Sequence, residues 1–337
     1  MKKTSNLKDV ARLAEVSLGT ASKVMNGIYV KPDLRIRVEE AAASLQYTPN
    51  VIARSLKLNS TKVLGIVIPD ISSPVIGKVL KGIEDYNRQE GYNGIIYQTA
   101  LETNQEKQAI ETFMRSKVDG IIYIGNTVQE EIAMKLQDCR VPVVFIMTRY
   151  ENGFFSSVTI DNKEAAFTAV DYLCQKGHKK ILMLAGEEND PNAGTPRLEG
   201  YKSALEKHGI KIDDTMIYHG GYRLQRGYED TMKLLQDKKE FTALFAVSDE
   251  VAVGAIKAFS EKGVKVPEEV SIIGFDGIEM IDYTVPSLSS ISQPFYELGK
   301  EAANMLIDSM RNGTKDVQKI LPFYLIENKS VMEYEHI

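Results

Sequence analysis

Two groups of side chains have the types and spacing to do chemistry. The first follows a series of short apolar runs: Pro69-Asp70, Gly125-Asn126, Met147-Thr148, Gly186-Glu187, Ser248-Asp249 and Asp276-Gly277. Carboxylates accept from hydroxyls, an arginine fork donates to them, and glycine lets backbone approach closely, so this mixture suits a hydroxyl-rich small molecule. For Asp249 and Asn126 a helix-capping role is an equally good reading. The second group, Leu18, Gly19, Thr20, Ser22 and Lys23, falls on one face of a short helical pattern and is free to meet a partner. Catalytic constellations are missing from the sequence: it holds no P-loop, no GxSxG elbow, no HExxH and no GxGxxG opening a helix. His178, His208, His219 and His336 are scattered, and the first two sit beside helix-ending glycines, as capping residues do. Cys139 and Cys174 read as free thiols of a reducing cytoplasm. The chain is therefore expected to be no enzyme and to carry no metal or other cofactor.

The elements that must position the second group are legible from periodicity. Leu7, Val10, Ala11 and Ala14 share one helical face; after Glu15-Val16 a second helix, Ser17 to Asn26, turns Ala21, Val24 and Met25 inward. That is the spacing of a helix-turn-helix, with Ser17 as N-cap and Val16 filling the crossing. Pro32 to Leu45 reads as a third helix with Leu34, Val38, Ala41, Ala42 and Leu45 inward, and Val51 to Lys57 as a fourth that is too short to be stable alone. Up to Lys62 there are eleven Lys and Arg against five Asp and Glu, a net of +6; the whole chain carries −5, which leaves −11 for the remainder. A basic segment around a helix-turn-helix is the electrostatic footprint of DNA binding.

Beyond Lys62 short apolar strands alternate with amphipathic helices: 63–68, 94–98, 120–124, 141–146, 181–184, 243–247 and 271–275. Near-continuous apolar strands predict parallel sheets covered on both faces, and Gly91, Gly177, Gly209 and Gly263 are placed to end the intervening helices. In open sheets of this kind ligands sit outside the carboxyl ends of the strands, where the first group of residues falls. At 337 residues, 43% hydrophobic and 26% charged, the chain has room for a small domain and a large bilobed one. No apolar run approaches the roughly 20 residues of a membrane span and no secretory signal opens the sequence, so a cytoplasmic protein with no membrane partner is expected.

VSLGTASKVMNG, then VIARSLKLNSTKVLGIVIPD, KVDGIIYIGN, SVTIDN, GHKKI, RLEGY, VSDEVAVGAI and VSIIGFD, in that order, resemble the LacI family of bacterial transcriptional regulators, and most of all its catabolite-control branch. The likeness runs from Leu7 to about Asn328. It implies an N-terminal all-α helix-turn-helix headpiece (1–49), a hinge helix or linker (50–61) and an α/β bilobed, periplasmic-binding-protein-like domain with two parallel sheets (62–337). Lobe 1 would hold about 62–159 plus 291–323, and lobe 2 about 160–290 plus 324–337. The implied partners are double-stranded operator DNA, a second copy of the chain and a small effector. By resemblance DNA would meet Ser17, Leu18, Gly19, Thr20, Ser22, Lys23 and Asn26 in the headpiece, and Ala53 and Leu56 in the hinge. Leu56 would act as an apolar wedge in the minor groove. The effector would meet Asp70, Asp161, Arg197, Tyr222, Ser248 and Asp276, with Arg197 and Asp276 gripping it and the Tyr222 ring against an apolar sugar face.

The sequence also departs from the family pattern. Val75 and Ile76 stand where many relatives carry aromatic residues, and Met147 where some sugar binders carry an acid. A sugar or sugar phosphate remains the expected effector, ahead of a nucleobase. Ile281-Asp282-Tyr283-Thr284-Val285 is acidic and apolar, which argues against docking a phosphorylated carrier protein as global catabolite regulators do. The expectation is a dimeric, allosterically controlled repressor of carbohydrate-utilisation genes; the alternatives are a cytoplasmic sugar-binding module without specific DNA binding and such a global regulator.

Overall fold

The structure, a computed structural model, describes residues 5–47, 60–125, 127–150 and 155–334. It divides into two units, Met1–Thr61 and Lys62–Ile337. The expected hinge helix, with Ala53 and Leu56, lies outside the described residues, as does Asn126.

The small unit holds α1 (Leu7–Leu13), α2 (Leu18–Met25) and α3 (Pro32–Ser44). Helices of seven to thirteen residues do not persist alone in water, so each end is fastened and each inner face packed. Asn6 Oδ1 accepts from the Lys8 and Asp9 amides while the Asp9 carboxylate accepts from the Asn6 amide, a reciprocal cap on α1. Ser17 Oγ accepts from the Thr20 amide at 3.0 Å and so starts α2. Pro32 takes the first turn of α3, where its missing N–H costs nothing. The core is made of small residues, Val10, Ala11, Ala14, Ala21, Val24, Val38, Ala41 and Ala42, edged by Leu7, Val16 and Met25.

The large unit contains two six-stranded sheets. The first comprises β1 (Val63–Ile68), β2 (Asn93–Gln98), β3 (Gly120–Ile124), β4 (Val143–Ile146), β5 (Ser156–Thr159) and β11 (Gln318–Ile320), ordered β11-β5-β4-β3-β1-β2 and wholly parallel. The second comprises β6 (Ile181–Ala185), β7 (Ile217–His219), β8 (Ala243–Ala246), β9 (Ser271–Asp276), β10 (Ser289–Ser292) and β12 (Tyr324–Ile326), ordered β12-β10-β9-β8-β6-β7. Only the edge strand β12 runs antiparallel. The covering helices are α4 (Pro74–Glu90), α5 (Thr103–Ser116), α6 (Glu130–Asp138), α7 (Asn162–Gln175), α8 (Gly194–Lys207), α9 (Leu224–Gln236), α10 (Asp249–Lys262) and α11 (Phe295–Asn312).

Each sheet is buried on both faces by its own pair of apolar clusters, which is why its inner strands read as unbroken apolar runs. After β10 the chain returns to the first sheet, where α11 packs on β3, β4, β5 and α4, and it then crosses back to form β12. The α4–α11 approach is so close that a Cβ on Gly82 would stand 2.0 Å from the Tyr296 carbonyl. Gly91, Gly177, Gly209 and Gly263 all have positive φ at or just beyond helix ends, as their positions predict. No helix among the described residues is long and apolar enough to cross a membrane.

Candidate functional site

The carboxyl ends of both sheets face a cleft of about 470 Å³. That volume falls in the range of small-molecule sites. Its second-lobe wall is polar. Arg197, only 5% exposed, donates from Nε to Asn162 Oδ1 at 2.9 Å and from Nη1 to the Val247 carbonyl at 2.7 Å, and its guanidinium lies 3.7 Å from the centre of the Phe275 ring. Position and plane are thus fixed before any ligand arrives. Asp276, the last residue of β9, receives a hydrogen bond from Gln293 Nε2 at 2.8 Å and holds a φ of 124°, rare for a residue with a Cβ. Desolvation raises its pKa, opposed by the Arg197 charge and reinforced by the neighbouring Asp249.

Tyr222 donates its hydroxyl to Asp190 and packs over Gly186, where any Cβ would collide with the phenol. Burial first, then Asp190, pushes that phenol's pKa up, so it stays a donor. Ser248 is already occupied: its Oγ donates to the Tyr222 carbonyl at 2.8 Å and accepts from the Val251 amide at 3.2 Å as N-cap of α10. Beneath it Asp249 is fully buried and accepts from Ser290 Oγ and the Ile278 amide, so it fastens the floor and does not line the cleft.

The first-lobe wall is mostly aliphatic, with Val75, Ile76, Ile124 and Met147 beside Phe295. Asp70 is its charged member. The Ser72 amide and hydroxyl, more than Arg223, hold its carboxyl below the usual range. Asp70 also forms an ion pair across the cleft with Arg223, which reaches Glu250 at 3.3 Å with its other Nη. Ala100, Leu101 and Met147 line this wall with φ between 50° and 60°, so with Asp276 four residues with side chains hold positive-φ backbone around one cleft. Such strain concentrates at binding sites.

In the small unit, Ser17, Leu18, Gly19, Lys23 and Asn26 are exposed, and Thr20 and Ser22 half-exposed, on the face of α2 opposite Ala21 and Val24. Ser17 and Thr20 hydroxyls bond each other at 2.9 Å, and Asn26 Nδ2 donates to the Ser22 carbonyl at 2.6 Å. Lys23 forms no side-chain hydrogen bond or ion pair among the described residues.

Comparison with known proteins matches this two-unit plan. Residues 6–50 match the family described as bacterial regulatory proteins, lacI family, and residues 170–331 match a periplasmic binding protein-like domain. The transcriptional regulator RegA of Clostridium acetobutylicum is 38% identical over 331 residues, covering 97% of this chain and 99% of RegA. The chain belongs to the LacI family. Among solved structures, the lac repressor dimer bound to operator and the anti-inducer ONPF aligns with a TM-score of 0.87 at 25% identity, over 98% of this chain and all of that one. The complex of the regulator CelR with cellobiose aligns with a TM-score of 0.75 at 26% identity, over 97% and 99%. The chain is therefore a DNA-binding transcriptional regulator, in a family of regulators and not of enzymes.

For this LacI-family chain the structure brings Asp70, Arg197, Tyr222, Ser248 and Asp276 together in the cleft wall. It does not bring Asp161 there. That carboxylate is exposed and caps α7, accepting from the Glu164 amide at 3.0 Å, and Asn162 lines the cleft in its place. Adjacent residues at a helix start point about 100° apart, which is enough to exchange the two. Sequence reasoning missed Asn162, Gln293, Arg223 and Glu250. The last two could have been suspected from their positions at helix starts after strand ends; Asn162 and Gln293 gave no such signal.

Proposed function

We propose that this regulator represses carbohydrate-utilisation genes as a homodimer on a palindromic operator, working in the cytoplasm under control of a sugar or sugar phosphate held in the cleft. The observation that carries this reading is the fixed pair of Arg197, donating, and Asp276, accepting, at the end of β9 opposite an aliphatic wall. That combination serves alternating hydroxyls on one side and an apolar ring face on the other. The cellobiose complex of CelR supports it. The effector residues are taken to be Asp70, Arg197, Tyr222, Ser248 and Asp276, with Asn162 in place of Asp161.

On the DNA side, the headpiece (1–49) would read the operator through Leu18, Gly19 and Lys23. Ser17, Thr20, Ser22 and Asn26 would make phosphate or mixed contacts, and Ala53 and Leu56 of the hinge (50–61) would enter the minor groove. The exposed face of α2 supports the first part. Dimerisation is supported by apolar side chains left in water, Tyr283 at 78% and Val285 at 90% exposure, beside a groove of about 690 Å³ lined by Pro74, Met280 and Tyr296. The lac repressor relative is a dimer on its operator. Effector binding would shift the two lobes of 62–337, and with them the two hinges of a dimer; DNA must then change effector affinity by the same factor.

Fluorescence anisotropy of a labelled palindrome with a central CG step, taken from upstream of the gene, tests this at several salt concentrations with a panel of sugars. Tight binding that exceeds binding to random DNA and responds to one sugar is expected. Equal affinity for both DNAs with a steep salt slope would leave the headpiece with charge alone and defeat the operator reading.

A further inference from the structure

We infer that the cleft refuses anionic ligands and takes its effector as an uncharged, hydroxyl-rich molecule, so that of the two classes above the free sugar binds and its phosphate ester does not. This rests on the sugar reading and narrows it.

The first observation is the charge on the walls. Among the described residues the cleft is lined by two guanidiniums, Arg197 and Arg223, and four carboxylates, Asp70, Glu187, Glu250 and Asp276. Even with Asp276 protonated, three carboxylates face two cations. A phosphate entering this space meets a negative field in a partly desolvated setting, where like charges repel more strongly than in water.

The second is that both cations are already engaged by the protein. Arg223 is held by Asp70 from the opposite lobe and by Glu250 from α10. Arg197 spends Nε on Asn162, Nη1 on the Val247 carbonyl and its face on Phe275. The three N–H groups that remain, on Nη1 and Nη2, can donate to a neutral hydroxyl, but the guanidinium cannot turn to follow a phosphate without breaking the bonds that fix it.

The third concerns helix N-termini, which would otherwise supply an anion site without any cation. Several helices begin near the cleft, and side chains of the protein stand at or just before four of these starts. Asp70 Oδ1 takes the Ser72 amide at 2.9 Å ahead of α4, whose first residue is Pro74 and has no N–H to offer. Asp161 takes the Glu164 amide of α7. Asp190 Oδ1 takes the Asn192 and Ala193 amides, at 3.0 and 3.1 Å, at the start of α8. On α10, Ser248 takes the Val251 amide while Asp249 and Glu250 stand in the first turn. At α7 and α10 a ligand phosphate would have to displace a built-in cap; the first turns of α4, α8 and α9 have no side-chain cap, and there the nearby carboxylates Asp70, Asp190 and Glu250 oppose an anion.

The test uses the full-length protein and isothermal titration calorimetry at constant ionic strength. Glucose, fructose and cellobiose are each compared with their 6-phosphate esters, and inorganic phosphate is titrated alone. The same series is run on the double variant Asp70→Asn/Glu250→Gln, which frees Arg223 and removes two negative charges, with circular dichroism to verify that it folds. For the wild type we expect any sugar that binds to do so at least about 30-fold more tightly than its ester, and no saturable heat with phosphate. The double variant should gain saturable phosphate binding, by roughly tenfold or more over the wild type. An ester binding the wild type as tightly as its parent sugar overturns the inference, and so does a folded double variant that gains nothing. If no sugar binds but phosphate is refused by the wild type and accepted by the variant, the exclusion of anions stands and the sugar reading fails instead.

Discussion

On α2 the side chains offered to a partner stand on a core of eight small buried residues, and one of them, the exposed Lys23, has no internal side-chain partner among the described residues. In the cleft the reverse holds. Arg197, Asp276, Tyr222, Ser248 and Arg223 each carry at least one hydrogen bond or ion pair to another part of the chain. The headpiece presents, and the cleft preorganises. The distinction follows from what each must bind: a phosphate-lined duplex supplies its own field and tolerates mobile lysines, whereas a neutral small ligand has little but geometry to select on. It follows that removing a presenting residue should cost affinity alone, while removing a preorganised one should also cost stability.

Arg197→Ala is the largest test. It strips a buried guanidinium from Asn162, the Val247 carbonyl and Phe275, so effector affinity should fall by about 2–5 kcal/mol and the melting temperature of the large unit should fall with it. Operator binding without effector should survive. Calorimetry and thermal melts in parallel check the pair of effects; an affinity loss with an unchanged melt would mean that Arg197 presents as Lys23 does, and the contrast would collapse. Arg197→Lys should rescue little, because a point charge cannot replace the fork.

The cleft floor supplies a second test, through pH. Burial raises the pKa of Asp249, with hydrogen bonds from Ser290 and Ile278 opposing it only in part. A carboxyl whose folded pKa lies above its unfolded one stabilises fully below the unfolded value near 4. That stability is lost as pH rises through the folded value, by about 1.4 kcal/mol for each pH unit that separates the two. Asp249→Asn cannot ionise, so between pH 4 and 8 its melting temperature should decline less with pH than that of the wild type. Parallel curves for the two proteins would show that Asp249 ionises as freely in the floor as in water.

How much of this was readable beforehand follows the same division. The headpiece is local: a cap at Ser17, a 3.6-residue apolar rhythm and a proline at the start of α3 are written within forty residues of one another, and the helices form where those signals stand. The apolar runs and the helix-ending glycines likewise mark seven strands and four helix ends. Of the missed strands, β7, β11 and β12 are short edge strands, while β5 and β10 are buried through distant partners. β5 and β10 read SSVT and SSIS, and serine looks like a turn residue. Yet Ser289 and Ser290 are fully buried, because the Ser289 amide donates to Ser330 Oγ at 2.8 Å and Ser290 donates to Asp249, each 41 residues away. The cleft has the same property. The resemblance pointed to Arg197 and Asp276, which line the cleft, but the pairing of Asp70 with Arg223 spans 153 residues and leaves no local trace. Which of Asp161 and Asn162 lines the cleft was decided by a helix start that the sequence located only to within a residue.

The smallest effects lie on α2, where Lys23→Ala and Ser17→Ala separate presenting from positioning. If Lys23 reads a base edge, its loss should weaken operator binding by about 1–3 kcal/mol, leave random DNA less affected, and not move the headpiece melt at all. Ser17→Ala removes the acceptor of the Thr20 amide and should destabilise the headpiece by about 1 kcal/mol, so its operator defect should deepen on warming as α2 frays. Anisotropy titrations at two temperatures, one cold and one near the headpiece melt, distinguish the two. A temperature-independent defect for Ser17→Ala would make its hydroxyl a direct DNA contact. A temperature-dependent one for Lys23→Ala would mean that even this exposed residue helps to hold the helix, and the headpiece would no longer be a purely presenting surface.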